Sequence, residues 1–142
     1  MQVFDIRTQL ERDEGVVLTE YKDHLGYSTI GIGRLIDKRK GGGISRDEAY
    51  FLLDNDLLRI RRELQNKLPW FRNLDVSRQG VLLNMAYQMG VEGLLKFKGT
   101  LAHIQKGNYA EAGTNMMQSL WAKQTPARAK RLERQMVLGA WQ

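Results

Sequence analysis

Residues 13–34 read DEGVVLTEYKDHLGYSTIGIGR, a β-forming, glycine-rich stretch between two segments of helical character. β-Branched and aromatic residues dominate from 16 to 36, interrupted by KDHLG and by two glycines. This pattern predicts a small antiparallel sheet with a turn near residues 23–26. Three polar side chains lie in this stretch: Glu14, Asp23 and Thr29.

The segments on either side of the predicted sheet have helical periodicity. Residues 3–14 carry apolar side chains at helical spacing and are followed by Gly15, a common helix stop. Ser45 and Glu48 have the S-x-x-E form of a capping box ahead of an apolar run, which predicts a long helix. Beyond Pro69, glycines and prolines separate five further predicted helices: 76–89, 93–97, 99–106, 109–122 and 126–138, the last with Thr125 as N-cap.

These elements predict an α+β fold in a single domain of residues 1–142. A β-containing lobe is expected at about 13–45, a linking helix at about 46–67 and an all-helical lobe at about 68–142, with a cleft between the lobes. Strand alternation directs Ile30 and Ile32 to the core and Thr29 to the opposite face. The expected core of the helical lobe is Val81, Leu82, Met85, Leu101, Ile104, Met116, Leu120, Trp121, Met136 and Val137.

Positive charge is concentrated in the second half of the chain. The net charge is +6, and residues 67–142 hold 11 Lys or Arg against 4 Asp or Glu. Such asymmetry indicates attraction to a polyanion, which includes nucleic acid, an anionic membrane and an anionic bacterial envelope, or simply a solvated basic face. The run Arg128, Lys130, Arg131 and Arg134 has no accompanying DNA-reading motif, so no nucleic-acid partner is expected.

Several classes of site are excluded by composition. The chain has no cysteine, which excludes disulfides, a thiolate nucleophile and cysteine-based metal sites. His24 and His103 are too few and too far apart to suggest a metal site, and Gly31-x-Gly33 lacks the third glycine of a dinucleotide fingerprint. No cofactor or metal is therefore expected. No stretch approaches the roughly 18 apolar residues of a membrane span, and the charged beginning does not resemble a signal peptide, so folding in a cytoplasm is expected.

The three polar residues admit both a catalytic and a structural interpretation. Glu14 lies at a predicted helix C-terminus, where the last carbonyls disfavour an anion, and this suits a general acid as well as a solvated helix end. Asp23 lies in a turn, where aspartate commonly caps backbone amides. Thr29 presents a hydroxyl beside bare glycine backbone, as a sheet lining a sugar-binding cleft would.

Ordered motifs extend this pattern along the chain. They are Asp13-Glu14-Gly15, Tyr21-Lys22-Asp23, Gly26-Tyr27, Thr29-Ile30-Gly31-Ile32-Gly33, ISRDEA at 44–49, NMAYQMG at 84–90, Ser119 with Trp121, and QTPARAKR at 124–131. In this order they resemble the phage lysozyme family, of which the T-even phage enzyme is the best known member. The resemblance covers essentially the whole chain and implies a lysozyme-like fold with the first helix packed toward the C-terminal lobe.

The resemblance also implies an activity. The family hydrolyses the β-1,4 bond between N-acetylmuramic acid and N-acetylglucosamine in peptidoglycan, with inversion. It implies that Glu14 donates a proton to the leaving oxygen, that Asp23 holds or activates water, and that Thr29 helps to place this water. Leu35, Phe97 and Ser119 fall on positions where the family contacts saccharide.

The expected biological role is that of an endolysin. Such an enzyme waits in the host cytoplasm and reaches the periplasmic peptidoglycan after the inner membrane has been permeabilised. The expected partners are peptidoglycan glycan strands and an anionic cell envelope bound by the basic C-terminal lobe. A monomer without stable membrane insertion is expected.

The sequence departs from the family pattern at three places, and two other functions stay open. Ala127 replaces an Asn that touches substrate, Arg34 replaces a His and should affect interlobe electrostatics, and the loop at 37–43 is shorter. A lytic transglycosylase cuts the same bond with one essential Glu and no hydrolytic water, although the presence of Asp23 and Thr29 favours the hydrolase. The other alternative is a non-catalytic basic binding module.

Overall fold

The computed structural model describes residues 3–142, which form seven α-helices, a short 3-10 helix and a three-stranded antiparallel sheet. This combination confirms the predicted α+β fold class. The elements are α1 (Val3–Glu14), β1 (Val17–Lys22), β2 (Ser28–Gly31), β3 (Arg34–Leu35), α2 (Arg46–Lys67), the 3-10 helix (Pro69–Asn73), α3 (Val76–Leu95), α4 (Lys98–Gln105), α5 (Tyr109–Met117), α6 (Leu120–Gln124) and α7 (Pro126–Leu138). The chain divides into two compact units, Met1–Leu52 and Leu53–Gln142.

The sheet of the Met1–Leu52 unit has the order β1-β2-β3. Thr29 lies in the middle strand and pairs with Tyr21 of β1 and Leu35 of β3. A register irregularity interrupts the β1–β2 pairing between Val17 and Tyr21. The predicted turn joins β1 to β2, where the Gly26 N–H donates to the Asp23 carbonyl at 2.9 Å.

The prediction for the two faces of β2 was wrong. Thr29 is only 5% exposed, whereas Ile32, which was expected in the core, is 37% exposed. β2 ends at Gly31, and both Gly31 and Gly33 have positive φ angles. Strict alternation therefore stops one residue before Ile32, which lies in the turn toward β3.

The capping box at the start of α2 has the predicted geometry. The Glu48 N–H donates to Oγ of Ser45 at 3.2 Å, and the Ser45 N–H donates to Oε1 of Glu48 at 3.0 Å. Two backbone N–H groups that have no acceptor within the helix thereby gain hydrogen bonds, which stabilises the first turn. Ile60 and Leu64 are buried in the second half of α2 and begin the hydrophobic core.

The hydrophobic core lies in the Leu53–Gln142 unit. It contains most of the residues predicted for it, among them Val81, Leu82, Met85 and Met136. Leu120 was wrongly included, because its side chain is 68% exposed. The fully buried methionines at 85, 116 and 136 confirm that this residue type fills core space, while Met1 lies outside the described residues.

Three features of the helical unit differ from the prediction. The segments expected as separate helices at 76–89 and 93–97 form one element, α3, with non-helical backbone at Gly90, where φ is +81°. The segment expected as one helix at 109–122 is divided, because the Oγ of Ser119 accepts the Ala122 N–H at 3.2 Å and starts α6 as an N-cap. Thr125 does not cap α7 with its side chain. Its hydroxyl instead donates to the Trp121 carbonyl at 3.0 Å, and Pro126 occupies the first turn of α7 as predicted.

Candidate active site

Asp23 is held by the backbone of its own turn. Its Oδ1 accepts the N–H groups of Leu25 and Tyr27, both at 2.9 Å. The hydrogen bond from Tyr27 is the largest influence and lowers the pKa of the Asp23 carboxyl; desolvation opposes it, and the bond from Leu25 lowers the pKa further. Asp23 is therefore a fixed carboxylate, and Oδ2 lies outside these two hydrogen bonds.

Thr29 and Asp23 are connected through the backbone N–H and carbonyl groups of Tyr27. The Thr29 hydroxyl donates to the Tyr27 carbonyl at 3.1 Å, and the same carbonyl accepts the Asp23 N–H at 2.9 Å. The Tyr27 N–H is the group that binds Oδ1 of Asp23. The backbone of Tyr27 thus joins two of the residues that were predicted to be catalytic. Since the Thr29 hydroxyl uses its proton in this bond, its oxygen can only accept a hydrogen bond from any further partner.

Glu14 lies at the C-terminus of α1 and approaches the turn between β2 and β3. A Cβ placed on Gly33 would be 2.5 Å from Oε2 and 2.9 Å from Cδ of Glu14. Gly33 also has a φ of +62°, a conformation that L-residues with side chains rarely adopt. Glycine at this position therefore allows the Glu14 carboxyl to contact the sheet.

Leu35, a predicted saccharide contact, lies in β3 directly opposite Thr29. Its neighbour Arg34 forms an ion pair with Oε2 of Glu48 at the start of α2, inside the Met1–Leu52 unit. Arg34 therefore has its acidic partner within its own unit. Four of the six predicted site residues lie in the Met1–Leu52 unit: Glu14, Asp23, Thr29 and Leu35.

Phe97 and Ser119, the other two predicted saccharide contacts, line one depression of about 320 Å³ in the Leu53–Gln142 unit. Lys96, Lys98 and Asn115 belong to the same lining. The ring of Phe97 packs edge-on against Trp121, with a centroid separation of 6.0 Å, and the Trp121 indole N–H donates to Oε1 of Gln88 at 2.9 Å. An aromatic ring with adjacent hydroxyl, amide and ammonium groups is suited to a polar, ring-shaped ligand.

Two classes of feature are missing from the part of the chain that the structure describes. No group of three or more His, Cys, Asp or Glu side chains there could hold a metal ion. No helix within residues 3–142 is long and apolar enough to cross a membrane.

Sequence reasoning overlooked two residues at this site. Tyr27 acts through its peptide groups, which no side-chain pattern reveals. Gly33 was visible as the last glycine of the GIG element, but its contact with Glu14 requires α1 to approach the β2–β3 turn. The available signal was a glycine at a strand end, which commonly marks a close approach of another group.

Comparison with known proteins identifies relatives over most of the chain. Residues 11–135 match the family described as phage lysozyme. The chain is 33% identical to probable T4-type lysozyme 1 of Dictyostelium discoideum and 32% identical to probable T4-type lysozyme 2 of that organism, in each case over 92% of both chains. It is 35% identical to the pre-baseplate central spike protein Gp5 of Enterobacteria phage T4, over 87% of this chain and 26% of that protein.

These matches confirm the resemblance drawn from the ordered motifs. The matched range includes Glu14, Asp23, Thr29 and the capping box of α2, and it reaches the last turn of α7. The chain therefore belongs to the phage lysozyme family and is a lysozyme, an enzyme that acts on peptidoglycan.

Proposed function

We propose that the chain hydrolyses the β-1,4 bond between N-acetylmuramic acid and N-acetylglucosamine with inversion at the anomeric carbon. Glu14 protonates the leaving oxygen, Asp23 holds and activates the attacking water, and Thr29 helps to orient that water. Leu35, Phe97 and Ser119 contact the saccharide. The observation that carries this proposal is the hydrogen-bonded connection of Asp23 to Thr29 through the backbone of Tyr27.

The chemistry of each group supports its assigned role. A carboxylate that accepts two backbone N–H groups stays ionised at neutral pH and can accept a proton from water. The Thr29 hydroxyl donates to a carbonyl, and its oxygen can accept a hydrogen bond from the second hydrogen of the same water. Inverting glycosidases use two carboxyl groups with water between one of them and the sugar, which is the division of labour proposed for Glu14 and Asp23.

We further propose an endolysin role for this lysozyme. In this role a monomer accumulates in the host cytoplasm and acts on the periplasmic peptidoglycan once the inner membrane is permeable. Attraction to an anionic cell envelope would come from exposed cations of α7, namely Lys130, Arg131 and Arg134. One relative is a spike protein of a phage, which makes incorporation into a virion the alternative context for the same enzyme.

Product analysis tests the reaction directly. Purified peptidoglycan is digested, and the muropeptide ends are analysed by mass. If Asp23 and Thr29 orient a water, N-acetylmuramic acid must carry a free reducing end, and the α-anomer must form first because water enters opposite the departing sugar. A lytic transglycosylase would instead close the 6-hydroxyl onto the anomeric carbon and yield 1,6-anhydro ends, each lighter by one water.

The possible outcomes separate the alternatives. Reducing ends support the hydrolytic roles of Asp23 and Thr29. Predominantly anhydro ends would refute those roles and leave Glu14 as the acid of a transglycosylase. An absence of cleavage would favour a non-catalytic basic module, despite the family to which the chain belongs.

A further inference from the structure

Lys40 contacts the turn that holds Asp23. A Cβ placed on Gly26 would be 3.5 Å from Cε, 3.7 Å from Nζ and 3.8 Å from Cδ of Lys40, so the end of the lysine side chain packs over the open face of this glycine. The Lys40 ammonium also lies over the Tyr27 ring, 5.7 Å from its centroid. Both contacts fall on residues that hydrogen bond to Asp23.

Lys40 lies in a loop that is itself closed by hydrogen bonds. Oδ1 of Asp37 accepts the Arg39 N–H at 2.9 Å, and Oδ2 accepts the Gly43 N–H at 3.1 Å. The Arg39 guanidinium completes this arrangement with a bond of 2.9 Å to Oδ2. The segment 37–43 therefore forms a compact loop around the Asp37 carboxylate, and Lys40 lies between the two residues that bind it, Arg39 and Gly43.

The hydrogen bonds of the turn at 23–27 are local and join groups of residues 23–29. Gly26 has a φ of +86° and no side chain, and His24 and Leu25 are exposed. Its internal bonds are those from Leu25 and Tyr27 to Oδ1 of Asp23 and those between backbone groups of Asp23, Gly26 and Tyr27. The Lys40 ammonium is attracted to the partly buried Tyr27 ring, and the lysine stem adds apolar contact. Lys40 therefore contacts this turn from a separate loop that has its own hydrogen bonds.

We propose that Lys40 is a positioning residue for the reaction: it holds the 23–27 turn so that the Asp23 carboxylate keeps the orientation needed to direct water at the anomeric carbon. This inference rests on the catalytic role proposed for Asp23. Lys40 acts through Gly26 and Tyr27 and needs no contact with substrate. In this proposal the loop at 37–43 supports the turn that carries Asp23.

The test compares variants of Lys40 with a matched control in the same loop. Lys40→Ala removes the stem and the charge, Lys40→Met keeps a stem without the charge, and Lys40→Arg keeps both. Lys38→Ala is the control, because Lys38 is an exposed cation two residues away. Steady-state rates are measured on soluble, uncross-linked peptidoglycan chains, and amide hydrogen exchange is followed at Leu25 and Tyr27.

We expect Lys40→Ala to lower kcat about tenfold with KM changed less than twofold, since small misplacements of a catalytic group can cost up to about 10²-fold. Lys40→Arg should restore kcat to within about twofold and Lys40→Met should be intermediate, as expected for a cation over a ring. The Leu25 and Tyr27 amides should exchange several-fold faster in Lys40→Ala and at the normal rate in Lys38→Ala. Equal effects of Lys40→Ala and Lys38→Ala, a change confined to KM, or unchanged exchange at Tyr27 would overturn the proposal.

A parallel Asp23→Asn variant distinguishes failure of this inference from failure of the proposed function. If Asp23→Asn is inactive while Lys40→Ala has normal kcat and exchange, the role of Lys40 is refuted and that of Asp23 stands. If Asp23→Asn stays active, the catalytic role of Asp23 is refuted and the positioning role of Lys40 falls with it, even where faster exchange confirms the contact with the turn.

Discussion

Glu14 and Asp23 are both carboxylates, but their surroundings differ in a way that suits different roles. Asp23 accepts two backbone N–H groups inside a turn, which favours its charged form. Glu14 ends a helix and lies against the glycine backbone of the β2–β3 turn. The roles proposed for them, general acid for Glu14 and activation of water for Asp23, are those that inverting glycosidases divide between two carboxyl groups.

At the residue scale, we expect Glu14→Gln to fold normally and to lose the clearing of turbid bacterial suspensions. General acid catalysis contributes on the order of 10²–10⁴ in rate, and Gln has a similar shape but no acidic proton. Glu11→Gln, one turn earlier in α1 and also exposed, is the control and should keep wild-type activity. Near wild-type clearing by Glu14→Gln would remove Glu14 from the mechanism.

The pKa of Asp23 gives a second prediction at this scale. Because backbone hydrogen bonds lower it in the folded protein, Asp23 contributes stability that is fully present above the ordinary aspartate value of about 3.9. This contribution is lost as the pH falls through the lower, folded value. An NMR titration of the Asp23 carboxyl carbon should therefore give a midpoint below about 3.9. A midpoint at or above that value would show that Oδ1 does not hold these bonds in solution.

At the scale of elements, Arg78 joins three helices of the Leu53–Gln142 unit. Arg78 lies in the first turn of α3. Its Nε donates to the Met136 carbonyl at 2.7 Å, and its Nη2 donates to the Val137 carbonyl at 3.1 Å. These are carbonyls of the last turn of α7, where a cation is also favoured by the helix dipole. The guanidinium stacks 3.6 Å from the ring centroid of Tyr109 in α5.

We therefore expect Arg78→Ala to destabilise the protein by about 2–4 kcal/mol, since hydrogen bonds to charged groups contribute about 1.5–3 kcal/mol each and the Arg78 side chain is only 16% exposed. Urea unfolding of the variant measures this loss. Arg131→Ala, an exposed arginine of α7, should change stability by less than about 0.5 kcal/mol. Equal effects of the two substitutions would mean that the bonds to α7 contribute nothing to stability.

At the scale of the whole molecule, the positive charge of the second half is of two kinds. Arg128 is half-buried and its Nε donates to Oδ1 of Asn84 in α3 at 2.9 Å, so it holds two helices together. Lys130, Arg131 and Arg134 of the same helix are exposed. Exposed cations such as these three, unlike Arg128, are suited to attract an anionic envelope over distances comparable with the Debye length, about 8 Å at 0.15 M salt.

Replacing Lys130, Arg131 and Arg134 with Gln should slow the lysis of whole cells at low salt and flatten the salt dependence of lysis. The reason is that fewer positive charges remain to attract the anionic envelope, and this attraction is what salt screens. Activity on soluble peptidoglycan fragments should be unchanged. The control replaces Arg7, Lys38 and Arg46, which removes the same charge from the Met1–Leu52 unit. If both triple variants flatten the salt dependence equally, net charge rather than the basic lobe governs capture.

Much of the fold follows from local signals in the sequence. Gly15 ends α1, the Ser45–Glu48 capping box begins α2, and Pro126 begins α7, because each of these effects acts within a few residues of the chain. The sheet and its turn were likewise predictable from residues 16–36. The family, too, could be recognised from ordered motifs, and the match over residues 11–135 confirms it. The catalytic roles carried over with those motifs stay predictions.

What only the tertiary structure decided depends on residues that are distant in sequence or on backbone that departs from regular alternation. Thr29 is buried because it lies in the middle strand, and Ile32 is exposed because positive φ angles at Gly31 and Gly33 end that strand early. The contact of Lys40 with Gly26 and the bond of Arg128 to Asn84 join separate elements. Local patterns determine helices, strands and turns, because these depend on bonds between residues that are close in sequence. Contacts between elements form only when packing brings the elements together. They therefore cannot be predicted from the pattern within one segment.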